Sequence, residues 1–450
     1  MDVKRLQAVV IGLLLTAAAA TGGALAAPVP LSLDEALRLA TARAEAVVDA
    51  AHAVEAAEVA LAREQESFGT RISLSGRANL SDRGVRFRPV VSGSGALGPA
   101  VSWSATSLRE SDGDAVISVS VQLWPPARDS AAVRNLQNAQ SSLESARDAL
   151  GRARAQAVVS TVEAYRQYQL AVARLALAEA ELDAAREAYA RTEAGVAAGR
   201  TSRSALIQAE ITVLQSEERV ASAAARVESA KVRLARLVGL APDEFTTDPF
   251  DEEHFRAEER HYVVPDREAY VAEVVANSAD VAARELAWER AQEGVARARR
   301  DWGLGLSLSA SVESSGGDAV DWMVGLTGTY ALADAGARRN ALRAAELELA
   351  RAERELERAR EAAAEEARTA IRTLESALRA FESASAVERL RRLDLEVARE
   401  ALRLGSITER ELGERQRALD AAVLDAAEAA LNVRLAAMRL ALLKGEAPSP

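Results

Sequence analysis

The feature that most constrains this chain is a set of short alternating segments inside a sequence of helical composition. Residues at about 71–80, 115–124, 304–313 and 320–331 alternate between apolar and polar types. A period of two is the pattern of a β-strand with one apolar and one polar face. The remaining sequence is rich in alanine, glutamate and arginine, which favour long helices. The fold therefore has to combine long helices with four two-faced strands.

The order of these elements occurs twice along the chain. A first repeat spans 27–240 and a second spans 266–444, and an acidic linker with several prolines separates them at 241–265. Each repeat reads helix, strand, strand, long helix, turn, helix. The long helices, predicted at about 130–198 and 338–404, contain no proline, so each extends about 100 Å at 1.5 Å per residue.

Smaller segments complete the organisation predicted for the chain. Ser32 and Glu35 form an S-x-x-E capping box, which predicts that one helix runs from about residue 34 to residue 66. The segment 81–114 is rich in glycine, serine and arginine and is predicted to be an outward-facing loop. Residues 445–450 are predicted to form a disordered tail.

The N-terminus has the features of a secretory signal peptide at residues 1–26. Lys4 and Arg5 precede a short apolar core, and Ala24-Leu25-Ala26 is a small-residue cleavage signal. The alternative interpretation is a membrane anchor, but the apolar run is short for a spanning helix. Such a signal would direct secretion and be removed from the mature chain.

Charge and composition exclude several classes of function. The formal net charge is −11, and it becomes −12 once the segment with Asp2, Lys4 and Arg5 is removed, which argues against general nucleic-acid binding. The absence of cysteine excludes disulfides, thiolate metal sites and cysteine nucleophiles. The three histidines are scattered and form no metal-ligand cluster; they are His52, His254 and His261. The SSGG segment at 314–317 predicts a hairpin turn because it lacks the Lys-Ser/Thr of a phosphate loop, and helix faces account for the abundant carboxylates. We therefore expect no enzymatic reaction, metal site or cofactor.

The four strands have the length and pattern of membrane-spanning β-strands. About ten tilted residues cross the hydrocarbon layer, with apolar side chains toward lipid and polar ones toward water. Aromatic residues at the strand ends predict a girdle at one membrane interface; they are Phe68, Trp124, Trp302 and Tyr330. The alternative is a soluble sandwich or hairpin. Four strands cannot close a hollow barrel, so several copies are expected to complete the wall.

Several motifs resemble the TolC-type outer-membrane efflux proteins. "LSLDEALRLA" resembles the opening of that family, and "VRLARLVGL" resembles the end of its first half. Two G-x6-L turns, Gly199…Leu206 and Gly405…Leu412, are similar to the helix reversals of the family. The resemblance implies a mainly α protein with transmembrane β-strands, namely a homotrimer with a twelve-stranded β-barrel in outer-membrane lipid, continued by a periplasmic α-helical barrel. It also implies a periplasmic adaptor protein and an inner-membrane transporter as partners.

The resemblance also implies roles for residues at the helix reversals. The turns around Gly199 and Gly405 would contact the adaptor, and Glu411 and Glu414 would form acidic rings at the periplasmic aperture of a trimer. The alternative is that both glutamates are ordinary solvated helix positions. The equivalent first-half positions hold Ala205 and Gln208, so any acidic ring comes from the second half. Ser406 and Glu409 are predicted to cap the following helix.

Two functions from different classes follow from these patterns. The favoured one is the outer-membrane exit duct of a tripartite efflux or type I secretion system, a passive channel opened at its helical tip. The cargo could be a drug, a metal, a small molecule or a protein. The alternative is a secreted, elongated coiled-coil scaffold without transport activity, because the long helices fit a two-stranded coiled coil as well.

Overall fold

The computed structural model describes most of the chain and shows helices and one large sheet. The described residues are 29–66, 69–81, 84–96, 101–108, 114–124, 131–252, 262, 264–300, 304–314, 320–330, 332 and 334–446. The predicted signal peptide at 1–26 and the last four residues of the predicted tail lie outside these ranges. So do His254 and His261, whereas His52 lies exposed on a helix.

The first half contains two short helices, four strands of the sheet and two long helices. Its elements are β1 (Val29–Leu31), α1 (Leu33–Arg43), α2 (Glu45–Glu66), β2 (Thr70–Ser81), β3 (Gly84–Ala96), β4 (Val101–Leu108), β5 (Asp114–Trp124), α3 (Ala131–Ala197) and α4 (Arg203–Val238). The prediction of one helix over 34–66 is wrong in one respect. The segment forms two helices that are separated at Ala44, whose ψ of 133° is not helical. Ser32 caps α1 by accepting a hydrogen bond from the Glu35 amide at 3.3 Å.

The linker and the second half follow with a similar order of elements. They contain a 3₁₀ turn (Pro242–Glu244), β6 (Phe245–Thr247), α5 (Arg267–Asn277), α6 (Ala279–Arg300), β7 (Leu304–Ser314), β8 (Val320–Tyr330), α7 (Ala337–Arg403) and α8 (Glu409–Lys444). Helices α3 and α7 have 67 residues each, and α4 and α8 have 36 each. The linker is therefore partly structured, because β6 pairs in parallel with β1.

The two halves differ in length at one place. Helices α1 and α2 precede α5 and α6 by 234 residues, whereas α3 and α4 precede α7 and α8 by 206 residues. The first half therefore carries 28 additional residues between its second and third helices. Strands β3 and β4 lie within that segment, so the prediction of a loop at 81–114 is wrong.

Over the described residues, the large sheet is an antiparallel meander of six strands in the order β2-β3-β4-β5-β7-β8. Strand β5 pairs with β7 and thereby joins the two halves, and the register shifts by one residue between Gln122 and Trp124. Pro89 lies in β3 just beyond the point where β4 ends opposite Val90. Among the described residues, the pairing partner of Pro89 is Gly76 of β2.

The long helices form a row in which α3 packs against α4 and α8, and α8 packs against α7. Most of the buried apolar residues lie along α3, α7 and α8. Helices α4 and α7 therefore form the two ends of the row. Among the described helices, none combines the length and apolar composition needed to cross a membrane.

Candidate functional site

The sheet has one continuous apolar face. Directly opposed residues of an antiparallel sheet share a face, and one such row crosses all six strands; its members are Ile72, Gly93, Ala105, Ile117, Val312 and Trp322. Ile117 is 52%, Trp322 76% and Leu326 64% exposed in the single chain. Exposed apolar surface of this extent marks contact with lipid or a partner.

The opposite face of the sheet is lined by hydroxyl groups. Three cross-strand serine pairs bring their Oγ atoms to hydrogen-bond distance; they are Ser73–Ser92 at 2.8 Å, Ser102–Ser120 at 2.7 Å and Ser104–Ser118 at 2.7 Å. Because each hydroxyl both donates and accepts, the face is polar without carrying charge along these rows. This is the chemistry of a surface in contact with water, although Val116 and the exposed Met323 also lie on that face.

The aromatic residues expected at the strand ends are described in part. Trp124 pairs with Leu306, and Tyr330 pairs with Leu304, so both lie at the end of the sheet nearest the helices. The side chain of Tyr330 is exposed and hydrogen-bonds Arg338 at the start of α7. Phe68 and Trp302 lie outside the described residues, so the complete girdle stays a prediction.

Both helix reversals use a left-handed glycine. Gly199 has a φ of 69° and Gly405 a φ of 71°, which a side chain would strain. Leu206 and Leu412 lie half-buried in the first turns of α4 and α8. In the first half, Ser202 caps α4 by accepting a hydrogen bond from the Ala205 amide at 3.3 Å.

The second reversal has a stronger cap than the first, two residues from where it was predicted. Thr408, rather than Ser406, is the N-cap of α8, and Ser406 instead donates to the carbonyl of Ala401 at 2.8 Å. The Glu411 amide donates to the Thr408 hydroxyl at 3.3 Å, and the Glu411 carboxylate accepts from the Thr408 amide at 2.8 Å. The predicted Ser406/Glu409 cap is therefore wrong, because Ile407 still precedes the first helical turn.

The two candidate aperture glutamates have different surroundings. Hydrogen bonds from the Thr408 backbone and hydroxyl lower the pKa of Glu411, so its carboxylate stays charged. Glu414 is exposed and lies 3.3 Å from the Arg410 guanidinium, one helical turn earlier. The Glu411 carboxylate is therefore held by the hydrogen bonds of the helix cap. Glu414 is held only by an exposed ion pair, which is a weak restraint.

The structure reveals a sheet segment that the sequence reasoning missed. Trp103 of β4 lies over Gly93 and Gly95 of β3, so a side chain at Gly95 would come within 2.7 Å of the indole nitrogen. The glycines that suggested a loop therefore have a packing role, because their lack of a side chain leaves room for the tryptophan ring. The readable signal was the alternation of β4 itself, in which Val101, Trp103 and Ala105 alternate with hydroxyl residues; these are Ser102, Ser104 and Thr106.

Comparison with known families decides the identity of this architecture. The model of the outer membrane efflux protein family matches residues 36–240 and 271–446. The chain belongs to this family. It is an efflux exit duct of the outer membrane whose long helical part extends into the periplasm, and the family is one of channels rather than enzymes.

Solved structures share the fold of this efflux protein at low sequence identity. The CmeC outer membrane channel of Campylobacter jejuni is 15% identical with a TM-score of 0.65, covering 92% of this chain and 85% of that one. The open state of the MtrE outer membrane channel of Neisseria gonorrhoeae is 17% identical with a TM-score of 0.66, covering 93% and 89%. The outer membrane protein VceC of Vibrio cholerae is 16% identical with a TM-score of 0.61, covering 93% and 97%. No curated protein sequence matches the chain.

The efflux protein exposes apolar residues on both ends of its helix row. Helix α4 exposes Ile207, Ile211 and Leu214, which follow the i, i+4, i+7 spacing of one helix face. Helix α7 and its C-cap residue expose a second stripe of the same kind; its members are Leu390, Leu393, Val397 and Leu404. We call these the α4 stripe and the α7 stripe.

Proposed function

We propose that this protein is a homotrimer that serves as the exit duct of a tripartite efflux or type I secretion system. The observation that carries the proposal is the two-faced sheet. It exposes an apolar face, lines the other face with serine, and leaves β2 and β8 at its two edges. Unpaired edges are not tolerated in lipid, so neighbouring copies have to pair β8 with β2.

The helices support the same assembly. The α4 stripe and the α7 stripe lie at opposite ends of the row, so each can cover the other stripe of a neighbouring copy. Burying a large apolar side chain contributes about 1.5–3 kcal/mol, and each subunit would bury seven of them. Such a heterologous contact closes into a ring when the rotation is correct.

The mechanism in this proposal is passive. The reversals at Gly199 and Gly405, with Leu206 and Leu412 beside them, form the tip that meets a periplasmic adaptor and an inner-membrane transporter. Opening of the tip admits cargo, and the serine-lined sheet releases it. Glu411 and Glu414 face the aperture as an acidic ring that favours cations. Energy comes from the transporter, so no catalytic group, metal or cofactor is assigned to this chain.

Conductance tests the duct against the scaffold alternative. We expect the mature protein to need detergent and to give discrete single-channel steps in a planar bilayer. Ser118→Lys on the serine face should place one positive charge per subunit in the lumen and shift the reversal potential toward anions. The matched control Val119→Leu, one residue along and on the apolar face, should leave it unchanged. A soluble, non-conducting protein would favour the scaffold.

A further inference from the structure

The inserted strands β3 and β4 continue both faces of the sheet. On the apolar side, Gly93 and Ala105 stand in the row between Ile72 and Ile117. On the hydroxyl side, Ser92 bonds Ser73, and Ser104 bonds Ser118. An extracellular loop resting on a four-stranded wall would not reproduce the alternation of both faces.

Packing also fixes the inserted strands within the wall. The indole of Trp103 covers Gly93 and Gly95, and Gly93 is buried as a result. A large aromatic ring over cross-strand glycines restores the packing that glycine lacks. The 28 additional residues of the first half thus add two strands in the middle of the sheet, while β2 and β8 keep the edges.

We propose that three copies enclose an eighteen-stranded transmembrane wall rather than a twelve-stranded one. The proposal rests on the homotrimer of the proposed function, since each copy contributes six strands. Barrel diameter grows roughly linearly with strand number, so the wall is about 1.5 times as wide as a twelve-stranded one. Barrels of that strand number leave an aqueous channel in porins.

The wider wall changes where cargo is selected. Its described inner rows carry serine and threonine hydroxyls, with Glu313 and Asp321 near the β7–β8 turn. A wide, hydroxylated passage admits bulky hydrophilic cargo without sieving it. The helical tip is then the section that limits cargo size, and the outer-membrane section is a permissive exit.

Disulfide trapping tests the strand order with two matched pairs. The parent chain has no cysteine, so each pair is unambiguous. In the six-stranded sheet Ser102 lies opposite Ser120, with 2.7 Å between their Oγ atoms. If the first half paired like the second, Trp124 would lie opposite Thr70, as Tyr330 lies opposite Leu304. The one-residue shift between Gln122 and Trp124 would then place Ser120 opposite Ser73.

We expect the Ser102→Cys/Ser120→Cys pair to form a disulfide in membranes within one subunit. The Ser73→Cys/Ser120→Cys pair should stay reduced, because two strands separate those positions. Efficient bonding of Ser73→Cys to Ser120→Cys would overturn the inserted strands as part of the wall.

A deletion variant tests the width. Removing residues 84–111 takes out the 28 additional residues and leaves a four-residue connection between β2 and β5, close in length to the five residues between β7 and β8. Polyethylene glycols added on the outer side should enter the parent channel up to about 1.5 times the hydrodynamic radius that enters the deleted channel. An equal size limit in two conducting trimers would overturn the eighteen-stranded wall alone. A parent that forms no conducting trimer would overturn the proposed function, and the wall with it.

Discussion

The two halves of this protein are copies in their helices and differ in their sheet and at their tips. From the start of the long helices to the final glycine caps, Gly239 and Gly445, the halves correspond at a constant spacing of 206 residues. The insertion that distinguishes the first half from the second lies in the sheet. The comparison teaches that the helical tube tolerates no change of length, because its neighbours must remain in register, whereas a meander accepts two more strands as a unit.

The core near the middle of the row shows how the halves compensate for different side chains. In the first half the short helix supplies Ala36 and the long helix supplies Tyr165, which donates to the Leu31 carbonyl at 2.9 Å. In the second half the equivalent positions are Tyr270 and Ile371, and Tyr270 donates to the Leu440 carbonyl at 2.9 Å. The tyrosine is on the long helix in the first half and on the short helix in the second half. In both halves its hydroxyl donates a hydrogen bond to a buried backbone carbonyl.

The largest expected effect comes from the two apolar stripes, one from each half. Leu393→Glu with Val397→Glu on the α7 stripe should abolish the trimer, because carboxylates would be buried against a neighbouring copy. Ile211→Glu with Leu214→Glu on the α4 stripe should do the same. Native mass spectrometry in detergent measures the oligomer.

The matched control is Arg399→Glu, an exposed position on the charged side of α7. It should leave the trimer intact. A trimer that survives both stripe variants would show that the two halves do not meet across a subunit boundary.

The next effect compares glycines in the two halves of the sheet. Gly95→Ala should destabilise the sheet by about 1–3 kcal/mol, since its Cβ would overlap Trp103 and the backbone of β2. Gly328→Ala in β8 should be tolerated, because the nearest atom is 3.8 Å from its Cβ. Thermal unfolding of the reconstituted protein measures both, and equal melting temperatures would contradict the packing of β3 against β4.

A smaller effect concerns charge at the tips. Glu411→Gln with Glu414→Gln should weaken cation preference and divalent-cation block, while glutamine still serves the capping box with Thr408. Ala205→Glu with Gln208→Glu should strengthen both properties by giving the first half the same carboxylates. Reversal potentials under a salt gradient measure the preference, and unchanged values in both variants would remove the glutamates from the aperture.

The smallest effect is a difference in alkaline stability. Burial, with Asp248 nearby, raises the pKa of Tyr165 from its usual 10 to about 12. The neutral form is favoured in the fold, so this contribution is complete below pH 10 and is lost between pH 10 and 12. Tyr165→Phe should cost about 1 kcal/mol at neutral pH and flatten the fall in melting temperature over that window. Tyr189→Phe on the same helix controls for loss of a tyrosine, and equal slopes would contradict the burial argument.

Prediction from the sequence was most accurate for elements whose hydrophobic pattern continues over many residues. The predicted long helices at 130–198 and 338–404 lie within one residue of α3 and α7 at each end, because their pattern runs without proline. The bounds of the strands were also predicted closely where apolar and polar residues alternate without interruption. Strands β3 and β4 were missed because glycine and proline resemble a loop until Trp103 is seen to fill the space above Gly93 and Gly95.

Candidate site residues were harder to place than elements. The glycines of the tip turns follow from their local φ requirement, and they lie where the pattern put them. The cap of α8 was misplaced because Ser406 and Thr408 both precede a glutamate by three residues, and only the geometry selects Thr408. Which side chains face an aperture depends on neighbouring copies, which a single sequence does not specify.

Cysteine accessibility tests the two-faced sheet most directly. In proteoliposomes, Ser118→Cys and Ser120→Cys should react with a membrane-impermeant maleimide from the lumen, whereas Ile117→Cys and Val119→Cys should react only after detergent is added. Uniform labelling of all four positions, or labelling of Ile117→Cys and Val119→Cys in intact membranes, would contradict a sheet with lipid on one side and water on the other.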